Sequence, residues 1–169
     1  QIVQRGGGCY ATGSAIPVYG YTYYLSNKGF ESYGPSADRV VADKPMPLSL
    51  KIEPTLRNIN FLYRSNINGI FYDNKYMCAV PLSGSLTNNY IFIYNENIKR
   101  RYGIDNWVPY TGIPALAFAT FRDANKKDVL YFVSNTDEKL YKFNPSFSDN
   151  GFGYDRAWKS KTFQFGERT

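Results

Sequence analysis

The sequence predicts an all-β chain of β-propeller blades, each with four antiparallel strands, about three blades in number and part of a larger propeller. A strand, turn, strand unit recurs along it. Tyr23-Tyr24-Leu25-Ser26-Asn27 leads to Phe30-Glu31-Ser32-Tyr33, Tyr76-Met77-Cys78-Ala79-Val80 to Tyr90-Ile91-Phe92-Ile93-Tyr94, and Tyr131-Phe132-Val133-Ser134-Asn135 to Leu140-Tyr141-Lys142-Phe143. The first tyrosines are 53 and 55 residues apart, and the near-copies at 23–27 and 131–135 are separated by 108 residues. Units of several strands recurring every roughly 40–50 residues are the sequence mark of propeller blades. Composition agrees: 16 Tyr, 12 Phe and 2 Trp stand against 20% charged residues, and aromatic side chains suit a pleated, half-buried surface.

The elements follow in order. Residues 14–34 alternate apolar with small or polar positions and carry Gly20 and Asn27-Lys28-Gly29 as turn signals, which gives two or three short strands. Pro35, Pro45, Pro47 and Pro54 break the pattern over 35–60. That stretch is expected to hold one strand, 48–52, and a short helix with Pro54 near its first turn. The second blade reads as strands at 69–72, 75–82, 90–95 and 107–110, with a tight turn at Asp73-Asn74. Tyr90, Phe92 and Tyr94 alternate with Ile91 and Ile93. Large side chains on both faces fit a blade packed on each side, so this blade should be the most buried. The third reads as strands at 116–121, 129–134, 139–144 and 158–165, and Trp107 and Trp158 fall 51 residues apart at corresponding places. The expected blades span approximately 11–61, 62–113 and 114–169.

Several function classes lack their residues. No stretch approaches the ~20 apolar residues of a membrane span, and the first residues carry no apolar signal region. The chain does not begin with Met, and Ile2-Val3 reads like the tail of a strand, as in a fragment of a longer polypeptide. Cys9 and Cys78 read as lone, buried, reduced thiols. The only glycosylation-like triplet, Asn144-Pro145-Ser146, is disqualified by its proline. With no histidine, the usual general base, the commonest metal ligand and every His-activated nucleophile are missing. The 14 Asp and Glu residues are scattered, and the adjacent Asp137 and Glu138 read as a solvated turn. Gly6-Gly7-Gly8 lacks the Gly-Lys-Ser/Thr of a phosphate loop. The expectation is therefore no catalytic, cofactor-binding or metal-ligating residue, no cofactor, and no enzyme. A net charge of +6 and a pI near 9.2 favour acidic partners, although Lys99-Arg100-Arg101 and Lys126-Lys127 read as solvated loops. Tyrosines spread over all strands read first as packing, with a binding platform as the minority reading.

From Tyr76 onward the order of features is more specific. Val80-Pro81-Leu82, the Asn88-Asn89 turn, Ile91-Phe92-Ile93-Tyr94-Asn95-Glu96, Asp105-Asn106-Trp107 and the segment 112–119 follow one another. The chain then runs through 129–135 and 138–144 to an Asp149-Asn150-Gly151 turn and Lys159-Ser160-Lys161-Thr162-Phe163-Gln164-Phe165-Gly166. This order resembles the propeller domains of tail proteins of tailed bacteriophages, in particular the tail nozzle or packaged-DNA stabilisation type. In those proteins a vicinal asparagine pair precedes an aromatic strand, a Trp closes the blade, and a Lys-Thr-Lys-x-Phe-x-Phe-Gly element opens the next. Residues 15–34 are similar to the preceding blade. The resemblance implies a structural component of the virion tail, made in the host cytoplasm. It would form a nozzle-like ring around the DNA exit channel, with other tail proteins and copies of itself as partners and non-specific proximity to DNA. A closed propeller of that family has more than three blades, so the chain would be an arc. The alternatives are a carbohydrate-binding or host-adhesion propeller using exposed aromatics and, more remotely, a propeller hydrolase with paired carboxylates.

Overall fold

The computed structural model describes residues 8–34 and 47–143, with two further short strands at Ser148–Asp149 and Phe152–Gly153. The chain is mostly β, in antiparallel sheets built in sequence order. Strands β1 (Ala11–Val18), β2 (Tyr21–Ser26) and β3 (Gly29–Tyr33) form the first sheet. Helix α1 (Glu53–Leu56) follows, between 3-10 turns at Leu50–Ile52 and Phe61–Asn66. The second sheet is β4 (Asn68–Tyr72), β5 (Lys75–Val80), β6 (Tyr90–Asn95) and β7 (Trp107–Thr111), with helix α2 (Glu96–Tyr102) between the last two. The third is β8 (Ala115–Arg122), β9 (Asp128–Ser134) and β10 (Leu140–Lys142). Strands β11 (Ser148–Asp149) and β12 (Phe152–Gly153) pair with each other.

Turn chemistry fixes the first hairpins. Asp73 and Asn74 have φ of 49° and 57°, and Tyr19 and Gly20 have φ of 47° and 83°. Two successive positive φ values make a tight turn whose twist matches the flanking strands. Asn, Asp and Gly tolerate that conformation, whereas a bulky tyrosine rarely does. Tyr19 is held there by an edge contact with Phe71 and by a hydrogen bond from its hydroxyl to the Asn74 side chain.

First strands of successive sheets lie side by side, β1 against β4 and β4 against β8. The approach of β1 to β4 requires glycine: a Cβ on Gly13 would sit 2.2 Å from the Ile67 carbonyl oxygen, and one on Gly69 3.1 Å from Ile16. The sheets stack face on face. Tyr76, Cys78, Val80, Phe92 and Tyr94 of the second sheet meet Tyr23, Leu25 and Phe30 of the first, with Leu56 and Ile59 closing the edge. Met77, Ala79, Ile91 and Ile93, on the opposite side, meet Leu130, Phe118 and Phe132 of the third. The second sheet is thus covered on both faces.

Three expectations need correction. The strand foreseen at 48–52 is absent. Leu48 N–H does bond the Phe30 carbonyl, and the Ser49 hydroxyl accepts Phe30 N–H, both at 2.8 Å, so these two residues dock on the edge of β3. The chain then coils from Leu50, because Pro54 favours the first turn of a helix. Four strands occur in the second sheet alone; the first and third have three among the described residues. Among the described residues the sheets do not close into a ring, and the expected arc of about three blades does not require it. Finally, Tyr23, Tyr76 and Tyr131 all lie on the second strand of their sheets but not on one face. Tyr23 faces forward onto the second sheet, whereas Tyr76 faces back onto the first. Alternation along the strand makes Tyr24 and Phe132 the counterparts of Tyr76. Trp158 and residues 159–166 lie outside the described residues.

Trp107 ties these parts together. Its ring stacks on Phe30 at 4.5 Å and tilts against Tyr94 at 4.9 Å, while its indole N–H donates to the Leu48 carbonyl at 3.0 Å. Trp107→Ala should therefore cost about 3 kcal/mol of unfolding free energy by urea titration. Trp107→Phe should cost about 1 kcal/mol through the lost hydrogen bond. A neutral Trp107→Ala would mean that β7 does not pack as described.

Candidate functional site

Buried chemistry gathers where α2 meets the first two sheets. The helix is well signposted: the Asn95 side chain accepts N–H bonds from Asn97 and Ile98, Glu96 sits in the first turn, and Gly103 ends it at φ 68°. Such an N-cap and left-handed C-cap specify a short helix locally. The Lys99-Arg100-Arg101 cluster is consequently helical, in the last turn where cations oppose the negative end of the helix dipole, and not in a loop as the sequence suggested.

Glu96, buried, accepts the Tyr23 hydroxyl at 2.5 Å. Tyr94 donates its hydroxyl to Asp105 Oδ1 at 2.7 Å, and Lys99 Nζ reaches the same oxygen at 2.8 Å. The Tyr23 and Tyr94 rings meet at 5.9 Å. Burial, and then the neighbouring carboxylates, push both phenols well above the ordinary tyrosine value. Burial alone would raise Asp105, but hydrogen bonds from Lys99 and Tyr94, with the Lys99 and Lys51 charges, hold it below the usual carboxylate range. Both carboxylates therefore work as acceptors that pin α2 to the sheets. Each is already engaged by a phenol, and Asp105 also by an ammonium, so the pair offers no free general base in this conformation.

The asparagine pair acts between strands and between sheets. Asn89 closes its own hairpin, its Oδ1 accepting Leu82 N–H at 2.8 Å. Asn88, fully buried, donates to the carbonyls of Asn66 at 2.6 Å and Ala115 at 2.7 Å, linking the second sheet to the start of β8. Sequence reading singled out this pair only as a turn.

Other features carry less chemistry. A cleft of about 570 Å³ lies between the β2–β3 turn and α1, floored by Leu25, Leu56, Ile59 and Phe61. Of the charged groups at its edge, Lys28, Glu53 and Arg57, the last two pair with each other at 2.7 Å. Asp137 lies in the exposed β9–β10 turn and accepts the Tyr141 hydroxyl at 2.6 Å. Both cysteines are free; Cys78 is buried, its thiol pushed up to about 12 by burial, whereas Cys9 is exposed, contrary to expectation. Its place next to the start of β1, outside the stacked faces, accounts for that. Among the described residues no three potential metal ligands gather, and no helix is long and apolar enough to cross a membrane. No protein-family model, curated protein or solved structure matches this chain.

Stability should fall steeply in alkali. Tyr23, Tyr94, Tyr76 and Cys78 all hold their protons more tightly folded than unfolded. Groups with raised values contribute fully below their unfolded pKa, and that contribution is lost as pH rises above it. The melting temperature should be flat from about pH 7 to 8 and drop above about pH 9 to 10, as the unfolding free energy falls by up to about 1.4 kcal/mol per pH unit for each group. Ultraviolet titration should show these phenolates appearing only with unfolding. Normal ionisation of all tyrosines near pH 10 in the folded protein would contradict the burial.

Proposed function

We propose that this chain is a structural module that works by assembly: an arc of propeller-like blades in a bacteriophage tail, in a nozzle-like ring with other tail proteins and copies of itself. The observation that carries this reading is the stacking direction. The forward face of the first sheet is covered by the second, and that of the second by the third. The corresponding face of the third is Ala117, Ala119, Phe121, Val129, Tyr131, Val133 and Leu140, with Lys142 at its edge beside Tyr131, by alternation from Phe118 and Phe132. On this face Phe121 and Leu140 are 54% and 56% exposed. An apolar sheet face of this kind calls for another sheet. The contacts of β1 with β4 and of β4 with β8 support the same reading, since the first strands of neighbouring propeller blades lie side by side. The Asn88 link between sheets gives the asparagine motif a structural role of the kind a blade repeat needs. The engaged carboxylates Glu96 and Asp105 favour assembly over hydrolysis.

Light scattering across a concentration series tests this. The chain should form species heavier than its 19.3 kDa, and Phe121→Lys with Leu140→Lys should return it to monomer with little change in melting temperature. A monomer at every concentration, in the presence of its neighbouring virion proteins as well, would contradict assembly. Binding on a glycan array by that monomer would instead favour the adhesion module.

A further inference from the structure

The rim that carries the first hairpin turns is also the basic side of α2. The Tyr19 hydroxyl bonds the Asn74 side chain, joining the β1–β2 and β4–β5 turns, and Glu96 N–H bonds the Asn74 carbonyl at 2.9 Å, seating α2 beside them. Tyr72 donates to the Asp128 carbonyl at 2.8 Å, bringing the β8–β9 turn to the same rim. Three cations there are spent on aspartates: Lys75 on Asp73, Lys99 on Asp105 and Arg122 on Asp128. Arg100, Arg101, Lys126 and Lys127 are exposed and have no carboxylate partner among the described residues. Asp123, the nearest acid in sequence to the lysines, uses its Oδ1 on the N–H groups of Asn125 and Lys127.

The two arginines lie on aromatic rings. Arg100 sits 4.0 Å over Tyr19 and Arg101 5.4 Å over Tyr102, with 45% and 61% of those tyrosines exposed. A guanidinium over a ring keeps its N–H edge free for phosphate oxygens, and exposed tyrosine rings offer faces for bases. We propose that this rim binds the phosphate backbone of a nucleic acid, with Arg100, Arg101, Lys126 and Lys127 as the phosphate contacts. The four cations lie on α2 and the β8–β9 turn and none is among the residues of the open face of the third sheet, so binding and assembly are tested by separate variants and can fail independently.

The test is fluorescence anisotropy of the full chain with labelled 30-nucleotide single-stranded and duplex DNA between 50 and 200 mM salt. Binding should weaken as salt rises. Arg101→Glu with Lys127→Glu should bind at least about tenfold more weakly at 50 mM salt and lower the salt slope by about 1.5, since each lost phosphate contact removes roughly 0.7–0.9. Lys28→Glu with Lys139→Glu, an equal change of charge in the β2–β3 and β9–β10 connections, should change affinity less than about threefold. Lys126→Gln with Lys127→Gln leaves α2 intact and should lose affinity as well. Preference for the single strand would assign a stacking role to the tyrosines; equal affinity would leave the phosphate contacts as the whole interaction. No binding to either DNA at 50 mM salt would overturn the proposal. So would equal losses in rim and control variants, or binding to vesicles of anionic lipid and not to DNA.

Discussion

Residues alternate sides along β5 and β6, and in this chain both sides are core, a constraint on which the rest of the fold depends. Tyr76, Cys78, Val80, Phe92 and Tyr94 turn to the first sheet, and Met77, Ala79, Ile91 and Ile93 to the third. Each large side chain taken out of water contributes roughly 1.5–3 kcal/mol. A slip of one residue in register would exchange the two sets. The aromatic face would then meet a partner shaped for Ala79 and Ile91, and neither interface would pack. Register is held on both edges of β5, by the tight Asp73-Asn74 turn toward β4 and by the Asn89 bonds at the β5–β6 connection.

A stack of sheets must also satisfy polar groups in its interfaces, where an unpaired donor or acceptor costs about 1–3 kcal/mol. The tyrosines between the first two sheets meet this by reaching their edges. Tyr76 donates to the Ser14 carbonyl at 2.8 Å, while Tyr23 and Tyr94 reach the carboxylates around α2. Ser14 in turn accepts Leu25 N–H at 2.8 Å, which links β1 to β2 where their register shifts. At the second interface Asn88 satisfies two carbonyls while its own Oδ1 is buried without a partner among the described residues. That atom suits an ordered water, which commonly serves such orphaned acceptors. The first interface is thus aromatic with polar ends, and in the second Met77, Ala79, Ile91 and Ile93 meet Phe118, Leu130 and Phe132 beside an amide clip.

Strand positions were legible because alternation and turn residues act locally: β4, β5 and β6 lie within two residues of the expected limits, and the Asp73-Asn74 turn is where its residue types demand. The phase of the repeat was not. Tyr76 looks like Tyr23 as a residue, yet which face a tyrosine takes is decided by the neighbouring sheets, and spacings of 53 and 55 hide a one-residue offset. Helix α2 was readable and went unread. Asn95, Glu96, three basic residues and Gly103 form a full set of helix signals, masked by the strand that runs into them and by the helix having only seven residues. The segment 48–52 misled for the opposite reason, since its leucines and isoleucine suggest a strand while Pro54 and the bonds to β3 coil it. No site residue was foreseen; the Tyr23–Glu96 and Tyr94–Asp105 pairs join elements distant in sequence, which no local signal announces.

Native-state hydrogen exchange followed residue by residue tests the double-sided burial most directly. Amide protection scales with the free energy of the opening that exposes it. The account predicts the slowest exchange in the chain for Met77 to Val80 and Ile91 to Tyr94, with β10 exchanging faster. Protection in β9 equal to or above that in β5, or fast exchange of either central strand, would contradict a fold centred on the second sheet.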